Sequence, residues 1–547
     1  MKMVRIIKWV AVTILCGILA PCAALASSVC PRPAAQGDVL QPPDLFSSGG
    51  KLELSFDYLT TVDTAGRTLF CFQTPDGIES PTLRVNPGDV ITIHLTNRVI
   101  SASAGPTEVV SNHRNQCGDK TMTLSSVNMH FHGMNVTPGC HGDEAIHTIV
   151  NSGQTFQYQI RIPKDEPPGL YWYHPHVHGI ASPAVQGGAT GAIIVGGIEN
   201  IQPAVAGLPE RLVIIRDEPL LNQGALSATH PDDGPMPNWD VSVNYVPVPF
   251  PSYPAALIRT TRGTREFWRV ANAAANTILD LQVIYDGKPQ TMEVVGLDGV
   301  PTGSQNGKRQ GTIVNEKHIL LPPSSRVEFI LAMPTSKVAQ AYLVTRAIKG
   351  GPASDTNPAR TLAQIIASDK PTKLRRLSER SGPPNPQRFE DIDHAKVTAN
   401  RTLYFLEVPG HATKAPAGEP VFFYIVVDGQ TPKLFDPNDK PAIVTNKGAV
   451  EDWTIQNRTF EVHEFHMHQI HFKVLEENGV PVPRDQQQWR DTYQVGYWDG
   501  KGKYPNIKVR MDFRGAVVGD FVYHCHILDH EDGGMMAVIR VKPQKKV

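Results

Sequence analysis

The sequence predicts an all-β chain built from three similar sandwich domains, on the strength of three observations. Glycine and proline are abundant, 45 and 46 of 547 residues, which favours turn-rich strands over helical bundles. Three segments share one frame: VNPGDVITIHLTN (85–97), TTRGTREFWRVAN (260–272) and VTNKGAVEDWTIQN (444–457) each place a glycine nine residues before an asparagine. Between those two residues the apolar positions tend to alternate, the period of a strand with one buried face. Their spacing of about 180 residues exceeds that of solenoid repeats and implies separate domains.

In chain order, residues 1–26 read as a secretory signal peptide. Lys2, Arg5 and Lys8 precede an apolar run, and Ala24-Leu25-Ala26 offers a small-x-small cleavage site. A membrane anchor is the alternative, and Pro21 before Cys22 fits a lipoprotein site poorly. No later stretch is apolar for the roughly 18–20 residues that a bilayer span needs. The mature chain is therefore expected to be exported, periplasmic or secreted, without a membrane span. Domain one is expected over 27–202 and domain two over 203–370. A linker and domain three follow over 371–547, with the Pro/Gly/Ser-rich stretches GGPASDTNPAR and SGPPNPQR reading as linker. A net charge of −1 with no dense basic cluster argues against nucleic acid, and 41% apolar content permits sizeable cores.

Of seven cysteines, Cys16 and Cys22 leave with the signal. The remaining number is odd, so one thiol has a duty other than pairing, and Cys525 is that candidate. The other four can form two disulfides. Cys30–Cys71 with Cys117–Cys140 is the expected pairing, although connectivity is not readable from sequence.

Domains one and three share more than the frame. PPGLYWYHPHVHG carries G-x-x-x-Y-H-x-H from Gly169 to His176, and VVGDFVYHCHILDH repeats it from Gly519 to His526. Each domain also has an earlier H-x-H: His130 and His132 in HFHG, His466 and His468 in HMHQ. Alternate residues of a strand point to one face, so each H-x-H projects two imidazoles from one side. One such pair is weak evidence. Four, paired by internal repetition, place eight histidines across a pseudo-twofold interface, where imidazoles without a metal are awkward to satisfy. The middle domain has neither motif and reads as scaffold.

On its strand Cys525 points away from His524 and His526, so its thiolate can serve a different site. His463 and His530 complete a His₂Cys set, with Met535 as a weak axial ligand: the donors of a blue-copper centre. Zinc would usually take a closed tetrahedral N/S set without a thioether. At the positions matching His463, Cys525 and His530, domain one has Val127, Pro175 and Ile180, none of them a ligand. One electron inlet thus serves one shared cluster.

HFHG, WYHPH, HEFHMH and HCHILDHEDGGMM resemble the four copper-binding segments of three-domain multicopper oxidases, the laccase-like family, and the likeness runs from about residue 45 to the end. The resemblance implies three cupredoxin-like Greek-key β-sandwiches and four copper ions. A type 1 copper would sit on His463, Cys525, His530 and Met535, and a type 2 copper on His130 and His466. A type 3 pair would take His132, His174 and His526 on one ion, and His176, His468 and His524 on the other. The family chemistry passes single electrons from a small reductant to the cluster, where O₂ is reduced to two waters. A monomer is expected. Glu531 and Asp143 resemble acidic residues assigned to proton delivery; the plainer alternative is a solvated loop carboxylate. The signal has no Arg-Arg pair, which implies export unfolded and copper loading outside.

Several positions depart from the pattern. Glu464 stands where many relatives have proline, and is expected to tune the type 1 copper or a substrate edge. Met535 replaces the non-coordinating residue of some fungal laccases, implying a lower potential. His178 and His471 adjoin the ligands but are expected to pack around them or in the core. Phenols and aromatic amines are the expected reductants. The chain has no methionine between Met333 and Met467, which disfavours cuprous oxidation, while carboxylates such as Asp491 or Asp499 leave metal-ion oxidation open. A copper-free scaffold or copper-sequestering protein is set aside because no ligand is missing. A copper nitrite reductase is disfavoured because this chain supplies a whole trinuclear set itself.

Overall fold

The computed structural model describes residues 29–100, 108–109, 117–221, 235–304, 310–379, 388–409 and 421–544. The expected signal peptide and residues 381–387 of SGPPNPQR lie outside the described residues. Sheet strands pair within three stretches, 44–195, 210–368 and 399–542, and each stretch closes into two facing sheets. In the first, Asp44–Phe46, Thr82–Val85, Gly191–Val195, Gly169–His174 and His130–His132 form one sheet; Thr68–Gln73, Lys51–Val62, Val90–Asn97 and Thr155–Arg161 form the other. Lys51–Val62 runs parallel to Val90–Asn97, as Ala399–Val408 does to Val450–Asn457. Strands therefore cross over between sheets, as in a Greek key, instead of running as a meander.

The repeated frame has a physical explanation in all three sandwiches. Gly88, Gly263 and Gly448 each turn with positive φ (+93°, +65° and +96°), a backbone that glycine adopts without steric cost. In the first sandwich the strand that follows buries alternate residues, Ile91, Ile93, Leu95 and Asn97. In the second every residue after Arg265 is buried, and in the third alternation is confined to the second half, because neighbouring bodies cover the other face. The terminal asparagines, Asn97, Asn272 and Asn457, are fully buried. Each donates its amide to two carbonyls: of Ser125 and Val150, of Thr277 and Leu321, and of Glu461 and Val495. Each side-chain oxygen accepts the N–H two residues on, from Val99, Ala274 or Thr459. The asparagine thus satisfies a loop that would otherwise bury bare carbonyls.

Each sandwich encloses its own apolar cluster, centred on Phe56, Ile93 and Phe131, on Val270, Leu281 and Phe329, and on Ile455, Phe465 and Ile539. Each such side chain contributes about 1.5–3 kcal/mol by leaving water. Leu170, Trp172 and Ile194 pack on Leu212 and Ile214, joining the first sandwich to the second. Val185, Ala275 and Leu528, one from each sandwich, meet in a small cluster of their own.

Two organisational expectations change. GGPASDTNPAR (350–360) is not a linker: it connects two strands of the middle sandwich, Ala341–Thr345 and Arg360–Ser368, and Gly350 accepts a hydrogen bond from the Val462 N–H. Residues 37–41, expected in domain one, run along the middle sandwich, where Val39 donates to Leu257 and enters the core. Prolines and glycines mark turns but do not tell a linker from a loop that a neighbouring body holds. No helix among the described residues is long and apolar enough to cross a membrane.

Cys30 pairs with Cys71 and Cys117 with Cys140, while Cys525 keeps a free, buried thiol. The second bridge spans 23 residues and anchors the loop after HFHG. Replacing both of its cysteines by serine is expected to lower stability by about 2–4 kcal/mol. Unfolding in denaturant would reveal this as a lower midpoint, and an unchanged midpoint would refute it.

Candidate metal centre

In both outer sandwiches the H-x-H strand pairs antiparallel with the Y-H-x-H strand. His132 lies opposite Trp172 and His130 opposite His174 in one; Phe465 lies opposite Cys525 and His466 opposite His524 in the other. The two strand pairs face each other and bring eight imidazoles into one interface, all at most 1% exposed. His130, His132 and His466 form one group whose ring nitrogens lie within 4.8 Å of one another; His132, His174 and His526 form a second, and His176, His468 and His524 a third.

Oxygen atoms around the rim fix the tautomers. The Nδ1–H groups of His130, His174, His466 and His524 donate to Asp143 Oδ1 (3.0 Å), Pro175 O (2.8 Å), Asp491 O (2.8 Å) and Cys525 O (3.0 Å). Their Nε2 atoms are thereby left as lone-pair donors pointing inward. The Nε2 atoms of His130, His174, His466 and His526, and Nδ1 of His132, are buried with no hydrogen-bond partner among the described residues. Burial pushes the pKa of His132, His174, His176, His466, His468, His524 and His526 well below the usual range, so these rings are neutral. Neutral, unpartnered, convergent imidazoles are costly without a shared cation and suited to binding one. The donor set fits copper.

The second site lies on the other face of the same strand. Cys525 Sγ is 3.5 Å from His463 Nδ1 and 3.7 Å from His530 Nδ1, and those two nitrogens are 3.1 Å apart. Met535 is fully buried in the same core, and its carbonyl accepts the Cys525 N–H. The Glu464 N–H donates to the sulfur at 3.4 Å. Burial raises the thiol pKa well above its ordinary value, so a bound cation is what would hold it as thiolate. The outward nitrogens meet oxygens: His463 Nε2 lies 3.0 Å from Glu407 Oε1 and 2.9 Å from Thr459 Oγ1, and His530 Nε2 lies 3.5 Å from Glu461 Oε1. Phe423 stacks on His530 at 4.4 Å.

The carboxylates divide. Neither Glu531 nor Asp143 is a solvated loop group, at 0% and 1% exposure. Glu531 lies 3.7 Å from both His176 Nδ1 and His524 Nδ1, and its oxygens have no hydrogen-bond partner among the described residues. Asp143 is instead fully engaged, by His130, by the Phe131 N–H and by Gln469. Glu464 is buried, with Gln494 on one oxygen. Asp491 cannot offer itself to an external metal ion, because it is fully buried and forked by Arg326; Asp499 is exposed. His471 donates to Asp298 O at 2.8 Å, and His178 packs edge-on to Phe435, beside Glu531 and Asp532. Sequence reasoning missed Arg326, Glu407 and Glu461, none of which belongs to a ligand motif.

Two family models, both described as multicopper oxidase, match residues 100–199 and 410–545. These spans contain every histidine of both sites and Cys525. The chain belongs to the multicopper oxidase family. This multicopper oxidase is 24% identical to the laccase of Bacillus subtilis over 83% of its own length and 87% of that protein's. It is 23% identical to the multicopper oxidase mco of Staphylococcus haemolyticus, over 84% and 81% of the two chains. Among solved structures, McoA multicopper oxidase from Aquifex aeolicus superposes with a TM-score of 0.64 at 18% identity, covering 93% of this chain and all of that one. A multicopper oxidase from Campylobacter jejuni, described as a metallo-oxidase, does so with 0.64 at 20% identity, covering 93% and 96%. The multicopper oxidase is a copper-dependent oxidoreductase with O₂ as electron acceptor.

Copper removal is expected to destabilise the multicopper oxidase by several kcal/mol, since a ligand at about 1,000 times its Kd adds about 4 kcal/mol. Coincident unfolding midpoints for the stripped and reloaded protein would exclude the cluster as a metal site. Asp143→Ala, which frees the His130 ring, is expected to weaken copper binding at the cluster about 10–100-fold. Copper titration against a competing chelator measures that loss, and wild-type affinity would refute the role given to Asp143.

Proposed function

We propose that this multicopper oxidase oxidises phenols and aromatic amines one electron at a time and reduces O₂ to water. In this reading His463, Cys525, His530 and Met535 hold a type 1 copper, and His130 and His466 a type 2 copper. His132, His174 and His526 hold one type 3 ion, and His176, His468 and His524 the other. The observation that carries the reading is the single strand Gly519–Cys525 with its next residue, which turns a thiol to one site and imidazoles to the other. When copper is bound, one-electron oxidation of the reductant at the thiolate site is coupled to four-electron reduction of O₂ to two waters at the histidine cluster.

The chain's own residues serve that coupling in three ways. Cys525 and its neighbours His524 and His526 join the two sites through one short run of backbone. Glu531, dry and close to two cluster histidines, is placed to hold a proton and pass it to reduced oxygen. Asp143 orients His130, a positioning role that its hydrogen bonds favour over proton delivery.

For the reductant, the relevant surface adjoins Glu461. Phe460 and Trp498 stack at 5.6 Å, Tyr504 meets Trp498 edge-on, and all three are partly exposed. Such rings can hold a flat aromatic, and Glu461 can accept the proton of a phenol or aniline beside His530. Metal-ion oxidation is the second reading, favoured by carboxylates at both type 1 histidines, Glu407 and Glu461. We further place the protein outside the cytoplasm, where its two disulfides are stable. It would act as a single chain, because one chain supplies the whole cluster.

Copper-loaded protein is expected to show the intense blue thiolate band and to consume O₂ when given a phenol. Cys525→Ser is expected to abolish both while leaving the type 2 resonance. Glu461→Gln is expected to raise KM for the phenol about 10-fold, the scale of a lost charge-assisted hydrogen bond. Uptake with Cu(I) or Fe(II) but not with phenol would move the assignment to metal-ion oxidation, and no blue band in loaded protein would overturn the type 1 site.

A further inference from the structure

The middle sandwich contributes no histidine or cysteine to either site, yet one of its side chains ends at the histidine cluster. Arg326 opens the strand Arg326–Ala332 and is fully buried. Its two terminal nitrogens donate in parallel to Asp491, NH1 to Oδ1 at 2.8 Å and NH2 to Oδ2 at 2.6 Å. Its Nε donates to the carbonyl of Leu170 in the first sandwich at 3.1 Å. Asp491 belongs to the third sandwich, so one guanidinium ties the three bodies together.

Asp491 in turn holds two cluster rings. His132 Nε2 lies 3.4 Å from Asp491 Oδ1, and His466 Nδ1 donates to the Asp491 carbonyl at 2.8 Å. The two rings stack at 4.1 Å. A second strut runs alongside: Ser324 of the middle sandwich bonds Thr492 at 2.7 Å, and Thr492 Oγ1 lies 3.1 Å from His466 Nδ1. The glycine of HFHG belongs to the same arrangement. A Cβ at Gly133 would strike Arg326 NH2 and Asp491 Oδ2, and the residue has φ of +84°.

We propose that Arg326 is a positioning residue for the oxygen-reducing centre, fixing through Asp491 both His466, at the metal position it shares with His130, and His132, at the adjoining position it shares with His174 and His526. A planar, bidentate fork sets the plane of the carboxylate as well as its location. The carboxylate and carbonyl of one residue then orient two imidazoles at once, and such outer partners govern how tightly a metal is held. The middle sandwich is thus part of the centre and not only a spacer. This inference rests on the copper reading of the cluster given above.

The test uses copper-loaded full-length protein with Arg326→Lys, which keeps the cation and loses the fork, and Arg326→Gln, which loses both. Type 2 resonance, release of copper to EDTA, the blue band and the unfolding midpoint are measured together. For Arg326→Lys we expect roughly 10-fold faster loss of type 2 copper and a changed type 2 hyperfine splitting, with the blue band intact. Arg326→Gln is expected to lose the type 2 signal; should it fail to fold, Arg326→Lys decides alone. An Arg326→Lys protein that matches wild type in type 2 spectrum and copper release overturns the proposal, whatever the Gln variant does. Wild-type protein without a type 2 signal would overturn the copper reading of the cluster and the proposal with it.

Discussion

Eight imidazoles packed into a dry interface are the constraint around which this molecule is organised. A buried ring nitrogen without a partner costs free energy, and here several converge. Rim oxygens occupy the Nδ1 atoms of His130, His174, His466 and His524, which leaves their inward lone pairs to a shared cation. The fold supplies that geometry through symmetry, since the outer sandwiches pair the same two strands and turn the same faces toward each other. Neither outer sandwich can satisfy its histidines alone. Docking of the two and binding of metal are therefore aspects of one equilibrium.

The middle sandwich serves this interface from the side. Asp217, on its strand Glu210–Glu218, accepts the N–H groups of Ala275, Asn276 and Thr277. That loop accepts the Leu528 N–H at the Ala275 carbonyl, at the start of the short helix that carries His530 and Glu531. The 350–357 loop meanwhile lies against Phe460 and Val462 beside the thiolate site. A body without ligands thus borders both sites.

Much of this was legible in the sequence, for identifiable reasons. Period-two spacing places side chains on one face whatever the surroundings, so the H-x-H pairs and the opposed Cys525 could be read as geometry. The Gly…Asn frame was legible as a repeat, although the asparagine's part in satisfying loop carbonyls was not. What stayed hidden depends on contacts between distant segments. Asp491 reads as a carboxylate open to an external metal ion until Arg326, 165 positions earlier, buries its charge. Glu407 sits at the end of a strand with no motif around it. The 350–360 loop has the composition of a linker because composition reports turns and not what a turn rests upon.

One strand carries the donors of two sites, and that sets an unusual rule for the segment. Facing alternates strictly along a strand, so a single residue gained or lost between Gly519 and His526 would exchange the faces. The thiol would enter the imidazole cluster and the imidazoles the thiolate pocket. Individual ligands can be weakened by substitution and recovered later, but a change of length here removes both centres in one step.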